Sequence, residues 1–107
     1  MNIPYPNLPP LRVELRLDSI DSRGQEVIAM QADSARPLAL SMDREHTWYT
    51  FVINDETVDK ISPGEQVTCS VSFVNAPDAE KAFHPNTSIL FGDGVATRGV
   101  MRILPPS

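Results

Sequence analysis

Six side chains in the middle of the chain have the chemistry to meet a charged partner: Asp43, Glu45, Trp48, Asp55, Glu56 and Asp59. Carboxylates attract a cationic surface, and an indole is large enough to anchor an interface beside them. Alternation along 47–53 places Trp48, Thr50 and Val52 opposite Tyr49, Phe51 and Ile53. An exposed Trp48 face would suit a basic protein; a core tryptophan is the other reading. A second set, Arg12, Arg16, Arg98 and Arg102, lies in the first and last apolar-patterned segments. It would form a basic, phosphate-seeking face if those segments are neighbours.

Catalytic constellations are harder to find. Asp43-Arg44-Glu45-His46 would be an acid/base group inside a cleft and is a solvated turn otherwise. His46 and His84 are far apart and belong to no His/Cys cluster, so a metal would need carboxylates supplied by the fold. Ser70 and Ser72 read as wet-face strand positions, and no serine sits in a Gly-x-Ser-x-Gly turn. Gly92-Asp93-Gly94 lacks the spacing of a phosphate loop and reads as a hairpin turn. The expectation is a non-enzymatic protein with no catalytic residue, no metal and no cofactor.

Bulk properties narrow the partner. At 107 residues the chain is the size of one domain. Its 14 Asp and Glu against 9 Lys and Arg leave a net charge of −5, which repels polyanions and favours cations. Nucleic acid is disfavoured and protein is the expected partner, a second copy of the chain included. The single cysteine, Cys69, has no disulfide or CxxC partner, and its place in an alternating segment puts it with the core side chains. No apolar run approaches a membrane span and the start has no leader pattern, so a cytoplasmic protein without a membrane association is expected.

The elements that position these residues are strands. Residues 1–10 form a proline-rich N-terminal tail, 11–104 the folded domain and 105–107 a C-terminal tail. Prolines at domain ends are usually punctuation, and a docking peptide is the alternative. Leu11, Val13, Leu15 and Leu17 alternate with Arg12, Glu14 and Arg16, a strand with one wet face. Asp21-Ser22-Arg23-Gly24 reads as a turn leading into a short strand over 25–30, which makes a hairpin with the first. Leu38, Leu40 and Met42 alternate, and 47–53 is aromatic and β-branched enough to centre the core. Asn54-Asp55-Glu56-Thr57 and Ser62-Pro63-Gly64-Glu65 are turns bracketing Val58 and Ile61. Val67, Cys69, Val71 and Phe73 alternate next, 78–82 has room for one helical turn, and 88–91 and 96–104 supply the last strands. Short strands with regular turns imply a sandwich or a closed barrel.

The order Pro63-Gly64-Glu65, alternating strand, Ser88-Ile89-Leu90-Phe91, glycine turn, Arg98-Gly99-Val100-Met101-Arg102-Ile103-Leu104 resembles the C-terminal β-barrel domain of bacterial elongation factor Tu. Ala35-Arg36-Pro37 also falls where that family carries Arg-Pro before its third strand. The resemblance spans 11–104 and implies an all-β fold, a closed antiparallel β-barrel of about six strands. It departs at Leu38-Ala39-Leu40-Ser41, where the family is aromatic-rich, and at Gly99, which Arg98 precedes in place of a second glycine. No Gly-x-x-x-x-Gly-Lys-Ser/Thr loop is present, so GTP chemistry is not expected. Within the family this barrel contacts the tRNA acceptor-stem region and other proteins, so the resemblance implies a binding module in a bacterial cytoplasm. Two further readings remain: an immunity or antitoxin-like protein neutralising a basic toxin, and RNA binding through the arginine face.

Overall fold

A computed structural model of the chain describes residues 4–41, 47–75, 79, 83–84 and 87–105. Eight strands run in the order β1 (Leu11–Leu17), β2 (Met30–Gln31), β3 (Leu38–Leu40), β4 (Trp48–Ile53), β5 (Lys60–Ile61), β6 (Gln66–Phe73), β7 (Ser88–Gly92) and β8 (Thr97–Ile103). Six of them close an antiparallel barrel in the order β1-β6-β4-β3-β7-β8, and β2 pairs with β5 in a separate two-stranded sheet. Of the sandwich and the closed barrel that the strand pattern left open, the fold is the closed barrel.

Closure places the two ends of the sequence side by side. β1 pairs with β6 through Val13 and Cys69 and with β8 through Val13 and Ile103, so both of its edges are occupied. This is why the expected hairpin between the first strand and residues 25–30 does not form. Glu26 makes only an isolated bridge to Ile20, and the chain runs on until Met30 and Gln31 find Ile61 and Lys60. The 21–24 turn itself is present: Asp21 Oδ1 accepts the Arg23 and Gln25 N–H groups at 2.8 and 3.0 Å.

Alternating side chains fill the barrel as period two requires. Val13, Leu15 and Leu17 of β1, Phe51 and Ile53 of β4, Cys69, Val71 and Phe73 of β6, and Met101 and Ile103 of β8 form one buried cluster. Phe51 packs edge-on to Phe73 and Phe91, with ring centroids 6.0 and 5.8 Å away, and Phe73 stacks on Phe83 at 5.4 Å. These rings account for two local choices. On β3 it is Ala39 that points inward, facing Tyr49 and Phe91, while Leu38 and Leu40 lie half-buried on the outside. On β8, Gly99 pairs with Phe91, and a Cβ there would stand 2.2 Å from the Arg16 carbonyl oxygen of β1 and 2.5 Å from the Phe91 ring.

Turns behave as their residues demand. Gly64 takes φ of +84°, and its N–H donates to Leu17 O at 2.6 Å, seating the Pro63-Gly64 turn against the end of β1. The helical turn expected over 78–82 falls mostly outside the described residues. Within them, the Ala79 N–H donates to Asn75 O at 3.1 Å and the Phe83 N–H to Ala79 O at 3.0 Å, the α-helical spacing. Among the described residues no helix is long and apolar enough to cross a membrane.

Candidate functional site

β4 ends at Ile53, and the chain turns through Asn54 to Asp59 before β5. The turn is built on Asp55, whose side chain is only 10% exposed. Its Oδ1 accepts the Thr57 hydroxyl at 2.6 Å and the Thr57 N–H at 3.0 Å, an Asx turn. Its Oδ2 accepts the Ser70 N–H at 3.0 Å and the Arg12 guanidinium at 3.4 Å. Burial opposes ionisation, yet the Thr57 and Ser70 donors and the Arg12 charge together hold the carboxyl below the usual aspartate range. Asp55 is thus a structural anion that fixes the loop to β6 and β1.

The loop so fixed forms one wall of a groove of about 310 Å³. Its apolar floor includes Ile53, Val58 and Ala32, and its carboxylates are Asp33, Asp55, Glu56 and Asp59. Asp33 arrives because β5 pairs with β2 and the Ala32 N–H donates to Asp59 O at 2.9 Å, tying the turn after β2 to the β4–β5 loop. Asp55 is ion-paired; among the described residues Asp33, Glu56 and Asp59 have no ion-pair partner. Nor does any group of three or more His, Cys, Asp and Glu there have an arrangement that would hold a metal ion. The groove presents spread negative charge over an apolar floor, which fits an extended cation-bearing chain.

The structure divides the six acidic and aromatic candidates. Asp55, Glu56 and Asp59 come together in the groove and gain Asp33. Trp48 begins β4, five residues before Ile53, so it lies at the opposite end of that strand, facing outward and half-buried across from Leu40. It is neither a core residue nor part of the groove. Asp43 and Glu45 lie outside the described residues, as does His46.

The arginine set is brought together and neutralised. Antiparallel pairing of β1 with β8 sets Glu14 opposite Arg102 and Arg16 opposite Val100 on the outer face, and Arg98 shares that face of β8. Each guanidinium has a carboxylate: Arg12 with Asp55 at 3.4 Å, Arg16 with Asp18 at 3.5 Å, Arg98 with Asp93 at 2.9 Å, and Arg102 with Glu14. Gln66 Nε2 adds a 3.2 Å bond to Glu14. The Val95 and Ala96 N–H groups, with a smaller contribution from Arg98, hold the Asp93 carboxyl below its usual range. A phosphate arriving here would have to displace carboxylates already in place.

Two buried polar groups were hidden in the sequence. Asn54, just past the end of β4, and Ser72, on the outer face of β6, are both 0% exposed, so Ser72 is not a wet-face residue. The cover is the N-terminal segment: Tyr5 and Leu8 bond to Asn54, and Asn54 Nδ2 donates to Ser72 Oγ at 2.8 Å. Only the prolines around Tyr5 hinted at a docked segment. Cys69 is buried as its alternation implied, and burial, reinforced by the nearby Asp55 charge, raises its thiol pKa to about 11.

Comparison of the chain with protein-family models and with curated proteins finds no match.

Proposed function

We propose that the protein is a non-enzymatic protein-binding module that takes up a cationic, extended segment of its partner in the groove where β4 ends. The observation that carries this reading is the trio Asp33, Glu56 and Asp59, which lack ion-pair partners among the described residues and surround an apolar floor. The four arginines of β1 and β8 are each matched by an acid, whereas the described residues lining the groove include four carboxylates and no cation. On this reading the likeness to the translation-factor barrel is one of scaffold, used as a binding module in a bacterial cytoplasm. An immunity role is the same chemistry with a basic toxin as the partner. RNA binding draws no support from a face whose four guanidiniums are all engaged.

The test is fluorescence anisotropy of a dye-labelled oligolysine peptide with the full chain. Binding at low ionic strength should weaken steeply with salt. The double substitution Glu56→Lys and Asp59→Lys should reduce affinity by roughly tenfold or more, as expected when two attractive charges become repulsive. A peptide that ignores the chain at low salt, or binds the charge-reversed variant equally well, refutes the reading.

A further inference from the structure

Beside the acidic groove, Asn54 does what an adjacent β-strand would do. Its Oδ1 accepts the Tyr5 N–H at 2.9 Å and its Nδ2 donates to Tyr5 O at 3.0 Å, so one side chain satisfies both backbone groups of one residue. Tyr5 lies between Pro4 and Pro6, which have no N–H, so it is the one donor in that tripeptide and the prolines set the register. Pro6 and Asn7 then form the centre of a β-turn closed by the Leu8 N–H on Tyr5 O at 3.1 Å. The Tyr5 ring lies under the Arg36 guanidinium, 5.5 Å from its centroid. Residues 4–10 are therefore bound as a peptide is bound, through backbone pairing and one ring.

The bound segment leaves the groove's charge unanswered. Pro4 and Tyr5 themselves line the groove beside Asp33, Glu56 and Asp59, but residues 4–10 contain no charged side chain. A segment with the same backbone and a lysine or arginine would make the same hydrogen bonds and meet the carboxylates as well.

We propose that Asn54, Ser72 and Arg36 form a peptide-binding site for a proline-flanked aromatic segment of a partner protein, that this segment carries Lys or Arg where it passes the groove, and that residues 4–10 occupy the site in its absence. The proposal rests on the reading of the acidic groove as a site for cations. Tethering gives the chain's own segment an effective concentration on the order of millimolar, which any competitor must exceed. Charge is the means, since the resident segment has none.

The experiment uses the full chain and its Tyr5→Pro variant, in which the resident segment has lost its donor to Asn54. Three dye-labelled peptides are titrated by anisotropy: Pro-Tyr-Pro-Asn-Leu-Pro-Pro, its lysine-bearing relative Lys-Lys-Pro-Tyr-Pro-Asn-Leu-Pro-Pro, whose charges adjoin the proline that lines the groove, and the donor-less Pro-Pro-Pro-Asn-Leu-Pro-Pro. The Tyr5→Pro chain should bind the first about tenfold more tightly than the unsubstituted chain does, and bind the donor-less peptide about tenfold more weakly than the first. The lysine-bearing peptide should be the tightest and the most salt-sensitive. Tyr5→Gly, which keeps the donor, should behave within about threefold of the unsubstituted chain, separating loss of the hydrogen bond from loss of the ring. Equal binding by the unsubstituted and Tyr5→Pro chains, or equal binding of the donor-less peptide, overturns the proposed site. If the lysine-bearing peptide binds both chains alike and salt weakens it, the acidic groove stands and the Asn54 site falls. If the neutral peptide behaves as expected and lysine adds nothing, the Asn54 site stands while the groove reading and the cationic part of the proposal fall.

Discussion

On the face formed by β1 and β8, Arg16, Arg98 and Arg102 each stand against a carboxylate, whereas at the end of β4 Asp33, Glu56 and Asp59 surround a groove with none of their charge matched among the described residues. Both regions are polar surfaces of the same barrel. In the first, strand register sets Glu14 directly opposite Arg102, while Arg16 and Arg98 meet Asp18 and Asp93, near neighbours along the chain. The second arises from loops that the small β2–β5 sheet draws together, with no register to supply a counter-charge. Matched charge on a strand face is surface finish; unmatched charge in a loop-built concavity is where a partner gains most.

Asn54→Ala should expose this difference most strongly, because it removes a fully buried side chain, takes away the acceptor of the Tyr5 N–H and the donor to Ser72, and leaves Tyr5 O with the Leu8 N–H alone. A loss of about 2–4 kcal/mol is expected by denaturant unfolding. A loss below about 1 kcal/mol would mean that water replaces the amide freely and that the outer patch is not dry.

Asp55 links the two regions, since it anchors the groove loop and pairs with Arg12 of β1. Asp55→Ala should cost roughly 2 kcal/mol, with the part-buried Ser70 N–H and the Thr57 donors losing a charged acceptor. The carboxyl ionises more readily in the folded chain than in the unfolded one, so the unfolded chain binds its proton first as pH falls. The stabilisation is complete above the ordinary aspartate value of 3.8 and disappears as pH falls through the lowered folded value. Unfolding midpoints followed from neutral pH to about 2 should show this loss in the parent chain and a smaller one in Asp55→Ala.

On the matched face, Arg102→Ala should change stability by less than about 1 kcal/mol, as exposed ion pairs do. A cost well above that would show that the Glu14–Arg102–Gln66 group acts as a network. The smallest effect on stability belongs to the groove: Glu56→Gln and Asp59→Asn should leave unfolding within about 0.5 kcal/mol of the parent while weakening oligolysine binding. Clear destabilisation would instead make these carboxylates part of the fold.

Strand positions were the most legible feature of the sequence, because a half-buried strand writes its burial as alternation. β1 and β8 follow it residue by residue, β6 follows it until the buried Ser72, and the turns at 21–24 and 62–65 follow from Asp21 and from Pro63-Gly64. Leu38 and Leu40 show the limit of the pattern. Their alternation is real, but the side that faces in carries Ala39, paired with Tyr49 and Phe91, and the two leucines lie half-buried on the other. The groove was half legible: Asp55, Glu56 and Asp59 are near neighbours in sequence, while Asp33 is joined to them by strand pairing across many residues.

By itself the sequence determined the all-β character, the inward side of most strands and the acidic balance, all properties of local period and composition. Tertiary structure alone decided that β1 would lie between β6 and β8, that the arginines would be neutralised there, and that Asn54 would be dry. Each of these depends on which distant residue arrives as a neighbour. A polar side chain carries no mark of whether it will meet water, a carboxylate or the backbone of Tyr5; that is settled when the barrel closes and the segment around Tyr5 lies down on it.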